Sequence, residues 1–155
     1  MTADLIKKHK AEAYVMLTVH SAKDAMFYYN QNKDLMFSAF VRTRKAFDEY
    51  EAAGLPWSHM IAYIGPTNKP ENKELYDLLH AKGVMCMISA APSYDKLKEA
   101  DARQAAYRET FKAGADILES DLPIEAADAV QSLMPKDNPK QKFFGKAVVK
   151  KEGIE

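Results

Sequence analysis

The chain has 155 residues, 47% apolar and 28% charged, with 22 basic and 22 acidic side chains in balance. This composition excludes a disordered polymer and suits one domain with a real core. Without a basic excess or a run of like charge, neither a nucleic acid nor a membrane surface is an expected partner. No segment approaches the roughly 20 apolar residues of a membrane span. No charged-then-apolar leader opens the chain either. A soluble protein, cytoplasmic as written, is therefore expected, with the compartment of a longer parent protein, exported or not, left open.

Taken in chain order, Ala3–Lys10 reads as the tail of a helix, so the sequence is expected to open part-way through a pattern. Five short apolar runs follow: Tyr14–Val19, Met36–Val41, Met60–Ile64, Val84–Ile88 and Ala115–Leu118. Most are continuous rather than alternating, as in strands of a parallel sheet. Ser21 is placed to cap a helix over Ala22–Gln31, and Thr43 one over Arg44–Ala53 that stops at Gly54. Pro70 fits the first turn of a helix to Lys82, stopped by Gly83. A helix near Asp101–Ala113 stops at Gly114, and Pro123 opens a last one through Leu133, before Pro135. Successive strands lie about 22 to 30 residues apart, the size of a strand–helix unit. The stretch after the last helix is rich in lysine and is read as an extension. The division expected is thus 1–134 and 135–155.

Five parallel strand–helix units fit either an open doubly wound sheet or part of a (β/α)8 barrel. In both, functional groups gather at the C-terminal ends of the strands. Those ends read His20-Ser21, Arg42-Thr43, Gly65-Pro66-Thr67, Ser89-Ala90-Ala91 and Glu119-Ser120-Asp121. Neither GxGxxG nor GxxxxGK[ST] occurs, which weakens the nucleotide-binding readings of an open sheet.

Arg42 is the best anion-binding candidate, because a guanidinium there can grip a phosphate bidentately; a salt bridge to Glu119 or another acid is the bland alternative. His20 stands at a strand end without a second histidine nearby, and a hydrogen-bonded rim residue outweighs a chemical role. Glu119 and Asp121 share a face under period-2 alternation. They could hold a cation, but helix capping and pairing with a base are the more ordinary uses. His9 and His80 are expected at the surface, and His59 on the face away from the site. The lone Cys86 lies in an apolar run and is read as a buried hydrophobe. Core packing is the expected role of Met26, Phe27, Tyr28 and Tyr29, and of Met85 and Met87.

The stretch Lys82-Gly83-Val84-Met85-Cys86-Met87-Ile88-Ser89, with Gly114-Ala115-Asp116-Ile117-Leu118-Glu119-Ser120-Asp121-Leu122-Pro123 downstream, resembles the C-terminal end of the glycerophosphodiester phosphodiesterase family. The resemblance spans most of Tyr14 to Leu133, including Gly54-Leu55-Pro56-Trp57-Ser58-His59 and the strand after it. It implies an α/β fold, here a partial (β/α)8 TIM barrel of about five strands. It also implies metal-dependent hydrolysis of glycerophosphodiesters to glycerol 3-phosphate and an alcohol, with Mg or Ca as the family's cofactor.

The family's H-R, E-x-D, H-D and E-x-K motifs belong to its N-terminal half. No H-R or H-D occurs here, and Glu99-Ala100-Asp101 and Glu119-Ser120-Asp121 match E-x-D only as letters. The family's tryptophan in the penultimate strand motif is also missing, with Ala90 or Ala91 near its place. The expectation is a C-terminal part that is inactive alone, with no catalytic residue and no metal bound by this chain. His20, Arg42, Ser89, Glu119 and Asp121 are the expected substrate-binding residues, facing a small phosphodiester. Five strands cannot close a barrel of eight. The partner expected is therefore the missing N-terminal half or another copy of the chain. The alternatives are a non-catalytic binding or oligomerisation module that keeps the fold, and an unrelated open-sheet binder of small phosphorylated ligands.

Overall fold

The computed structural model describes residues 2–134; the expected extension over 135–155 lies outside them. Helix α1 (Thr2–His9) precedes five strand–helix units. The strands are β1 (Met16–Val19), β2 (Met36–Phe40), β3 (Met60–Gly65), β4 (Cys86–Ser89) and β5 (Ile117–Glu119). The helices that follow them are α2 (Ala22–Gln31), α3 (Arg44–Ala53), α4 (Asn72–Ala81), α5 (Ala100–Ala113) and α6 (Pro123–Val130).

The serine and threonine caps and the glycine stops are as the sequence predicts, but Pro70 stands before the Glu71 N-cap of α4 instead of in its first turn. Ser21 Oγ accepts from Asp24 N at 3.1 Å, and Thr43 Oγ1 from Ala46 N at 3.1 Å. Gly54 and Gly83 take φ of 71° and 73°, the left-handed region where a helix chain can turn back without a Cβ penalty. Short 3-10 turns at Trp57–His59 and Tyr94–Lys96 have no sequence-level forecast, and the last helix, expected through Leu133, leaves α geometry after Val130 and closes in a 3-10 turn over Gln131–Leu133. Strands β1, β4 and β5 start later than their apolar runs, whereas β2 and β3 start with them. Tyr14 and Val15 precede β1, and Ala115 and Asp116 precede β5. Strand pairing, not hydrophobicity, sets those limits, since Tyr14 is 89% exposed.

All strand pairs are parallel and the order is β1-β2-β3-β4-β5. A doubly wound sheet reverses direction at a switch point and has helices on both faces. Sequential order has no such reversal, so the helices fall on one side, as in a barrel wall. Alternate strand residues confirm it. Val19, Phe37, Ala39, Met60, Ala62, Ile64, Cys86 and Ile88 are buried in a single core with α1 through α4. A second cluster, Ala90, Tyr107, Ala126, Ala129 and Val130, seats α5 and α6.

Phe27 departs from the expected core role. It is 61% exposed, while Met26, Tyr28 and Tyr29 pack partly buried against the core. A helix has one inward stripe, and four consecutive residues cannot all lie on it. Met87 also differs, because it points to the opposite face of the sheet from Cys86 and Ile88.

Candidate functional site

The face of the sheet away from the helices is a concavity of about 230 Å³ lined by Thr18, Ser38, Phe40, Tyr63, Met87, Ser89 and Glu119. Each is an alternate residue of its strand, so the pleat alone aims them to one side. Their mutual heights follow from register: Thr18 lies beside Ser38, Phe40 beside Tyr63, Tyr63 beside Met87, and Ser89 beside Glu119.

Aromatic rings continue this surface at the β1 side. The His20 ring meets Phe40 edge-on at 4.3 Å between centroids, and Phe40 meets Tyr63 at 4.5 Å. Of the sequence-predicted residues, the fold gathers His20, Ser89 and Glu119 along this face. Phe40, Tyr63, Thr18 and Ser38 were not singled out from the sequence. The signal available was Thr18 and Ser38, hydroxyls interrupting apolar runs at positions that strand alternation assigns to the inner face.

Arg42 and Asp121 are placed elsewhere. Arg42 follows β2 and lines a crevice between the β2–α3 and β3–α4 loops, where its Nε lies 3.9 Å from the point a Cβ on Gly65 would occupy. Its side chain makes no ion pair or hydrogen bond among the described residues, so the bridge to Glu119 is not formed. Two strands separate them. Asp121 lies beyond the end of β5, in the turn before α6, where the pleat no longer holds it to the face of Glu119. Its amide is bound by Asp95 at 2.6 Å, and its carboxylate lies 3.9 Å from Lys96 Nζ. Helix capping by an acid is also absent, because Leu122 is the α6 N-cap and no side chain caps it. Instead Ser120 Oγ accepts from Leu122 N at 2.9 Å.

A polar hub below the mouth ties three loops together. Asp95 accepts from Tyr107 Oη at 2.6 Å, Ser120 Oγ at 2.9 Å and Asp121 N. Burial opposes ionisation of Asp95, but these donors outweigh it and hold the carboxyl below its ordinary value. Tyr107 is fully buried, and burial together with Asp95 pushes its hydroxyl up to about 12. Next to Asp95, Tyr94 Oη accepts from Asn68 N at 2.7 Å, and Ser93 Oγ donates to Pro66 O. Arg103 grips Glu125 through two bonds, of 2.9 and 2.8 Å. The Ser93–Asp95 turn thus fastens the loops after β3, β4 and β5 to each other.

At the opposite end of the strands, Asp116 Oδ2 accepts from Cys86 N at 2.7 Å and faces His80 Nε2 at 2.9 Å. The acid of the Gly-Ala-Asp stretch is therefore a fastener between β4 and β5, and His80, exposed at the surface as expected, is its partner. Cys86 is fully buried, as its apolar run predicts, and burial pushes its thiol up to about 12. His59 Nδ1 meets Leu35 O at 3.0 Å, away from the concavity.

Searches for similarity returned no matching family model and no match among curated proteins. A solved structure does match: a glycerophosphoryl diester phosphodiesterase from Parabacteroides distasonis ATCC 8503, 52% identical, with a TM-score of 0.88 over 92% of this chain. The chain is related to the glycerophosphodiester phosphodiesterases. It spans half the length of that relative, which is a TIM barrel, and so covers half of such a barrel. Strand order and kinship agree that the concavity is a stretch of barrel interior.

The family resemblance implies a divalent cation. Among the described residues Glu119 is the one carboxylate lining the concavity, with the Ser89 hydroxyl beside it and that of Ser38 two strands further away on β2. Hard cations take six or more oxygen ligands, commonly from more than one carboxylate. These residues do not fit such a site on their own. His80, Cys86 and Asp116 bring ligand atoms within 4.8 Å of one another, but at the other end of the strands and with a protonated thiol unsuited to Mg or Ca. Among the described residues no helix is long and apolar enough to cross a membrane.

Proposed function

We propose that this chain is the C-terminal five-unit part of a glycerophosphodiester phosphodiesterase barrel, contained within residues 1–134. In this reading it supplies a wall of the substrate pocket. The groups that hold Mg or Ca and move protons come from the three strand–helix units that complete eight. The observation that carries the reading is the sequential parallel sheet of half-barrel extent, with Ser89 and Glu119 side by side at its C-terminal edge. Glu119 would accept hydrogen bonds from the hydroxyls of a glycerol moiety, and Phe40 and Tyr63 would pack against its carbon face. His20, edge-on to Phe40, sits at the rim of that wall.

The chain alone is expected to show no turnover of glycerophosphoglycerol with Mg²⁺ or Ca²⁺. Co-expression with a polypeptide carrying the family's H-R, E-x-D and H-D units should give a stable complex with turnover, lowered by Glu119→Gln. Turnover by the chain alone, or a complex whose rate ignores Glu119→Gln, would defeat the proposal.

A second reading, a non-catalytic oligomerisation module, draws support from the β1 edge, where Tyr14 and Met16 are 89% and 44% exposed. Unpaired edges recruit other strands. Sedimentation separates the readings: a self-association that persists when the complementing half is present favours the module.

A further inference from the structure

We propose that the crevice between the β2–α3 and β3–α4 loops binds a phosphate monoester dianion. Its volume is about 220 Å³, and its lining shares no residue with the concavity, so it is a separate site. Arg42 and Lys69 bring two cations to it. Neither side chain has a partner among the described residues, whereas Arg44, Lys73, Lys82 and Arg103 each engage an acid.

The shape of the crevice suits an oxyanion. Gly65 forms part of the floor, so no side chain lies between the guanidinium and the end of β3. Asn72, only 8% exposed, is also in the lining. Thr43 and Thr67 add hydroxyls at the walls. Arginine offers a planar fork to two phosphate oxygens, and lysine adds a mobile point charge. Glu71 is the one acid of the lining, leaving a net charge of one positive unit. In a field of that sign the attraction scales with the ligand's charge. A monoester, dianionic above a second pKa of about 6, is therefore favoured over a monoanionic diester.

The test is titration of the full chain with inorganic phosphate and with dimethyl phosphate near neutral pH, followed by calorimetry and by amide chemical shifts. Saturable phosphate binding is expected, with shifts centred on Thr43, Gly65 and Thr67. Arg42→Gln and Lys69→Gln should each weaken it about tenfold, as the loss of one charge-assisted contact would. Glu71→Gln should tighten it, and Lys112→Gln, remote on α5, should leave it unchanged. Dimethyl phosphate should bind more weakly than phosphate. Absence of saturation, equal affinity for the two probes, unaltered binding in both the Arg42 and Lys69 variants, or shifts centred on Ser89 and Glu119 would each overturn the proposal. Because both substituted residues are exposed, the shift map of each variant also reports that its fold is intact. No hydrolysis is measured, so the outcome is independent of the proposed enzyme function.

Discussion

Gly114 begins the stretch that carries the family resemblance, and its role can be tested by adding a single methyl group. It ends α5 with φ of 125°, and an added Cβ would lie 2.9 Å from Cδ2, 3.0 Å from Cγ and 3.1 Å from Cβ of Tyr76. Tyr76 is 1% exposed and packed in the main core, so its ring has little room to retreat. Two costs add in Gly114→Ala. The backbone strain is about 1–3 kcal/mol, and overpacking a filled core costs about 1–3 kcal/mol more. Gly54→Ala is the control, since φ is 71° but nothing lies within 4 Å of the new Cβ. There only the left-handed penalty of about 1–2 kcal/mol applies. Urea unfolding of the two variants should therefore differ by about 2 kcal/mol, or more than 1 M in midpoint at an m-value near 1.5 kcal/mol/M. Equal losses would show that Tyr76 gives way freely and that Gly114 is only a helix stop.

Two further outcomes follow from the buried hydroxyls and the loop hub. Tyr107→Phe should destabilise by about 1–2 kcal/mol, because it strips a donor from the Asp95 carboxylate. By contrast, Tyr50→Phe should be neutral or stabilising, because the Tyr50 hydroxyl is buried without a hydrogen-bond partner among the described residues. Thermal unfolding of both variants checks the pair, and the reverse ranking would refute it. Asp95 is held below its ordinary carboxylate value of 3.8 in the folded chain, so its ionised form stabilises the fold above that pH. That contribution is lost as pH falls from about 4 through the lower folded value. Asp95→Asn should accordingly be less stable than the natural chain at pH 7, and the gap should close under acid; a gap that stays constant from pH 7 to pH 3 would contradict the bonding described.

The strand–helix periodicity was legible because each unit carries its own punctuation. Ser21 and Thr43 cap helices, and Gly54, Gly83 and Gly114 end them, all through contacts within a few residues. The barrel order was not, since the choice between a doubly wound sheet and a wall lies in which strands pair, and pairing joins residues 20 or more apart. Ser89 and Glu119 were found by being strand ends. Their adjacency came from the register of β4 and β5, as did the inward aim of Phe40 and Tyr63. Asp121 was misplaced for a local reason: period-2 alternation was extended past Glu119, where the strand stops and the chain turns toward Asp95. The Asp95 hub itself left no mark in the sequence, as its donors come from α5 and from the turn after β5.

The hub gives the proposed substrate wall a specific mechanical property. Ala90 N donates to Glu119 O at 2.7 Å, so the backbone beneath Glu119 is tied to the end of β4. One residue further on, Ser120 Oγ and Asp121 N are bound by Asp95. Ser89, 8% exposed, directly precedes the first of these ties. Binding groups work best when the backbone that carries them cannot yield, and displacements near 1 Å are costly. The bonds that fix Ser89 and Glu119 all lie within this chain and ask nothing of further strands. Among the described residues the loops after β1 and β2, which carry His20 and Arg42, have no hub of that kind, and the nearest link is the exposed Arg44–Glu74 pair at the start of α3. Under the proposed function, the β4–β5 side of the pocket is therefore set in place before the remaining units dock, and the β1–β2 side is the part that docking can still adjust.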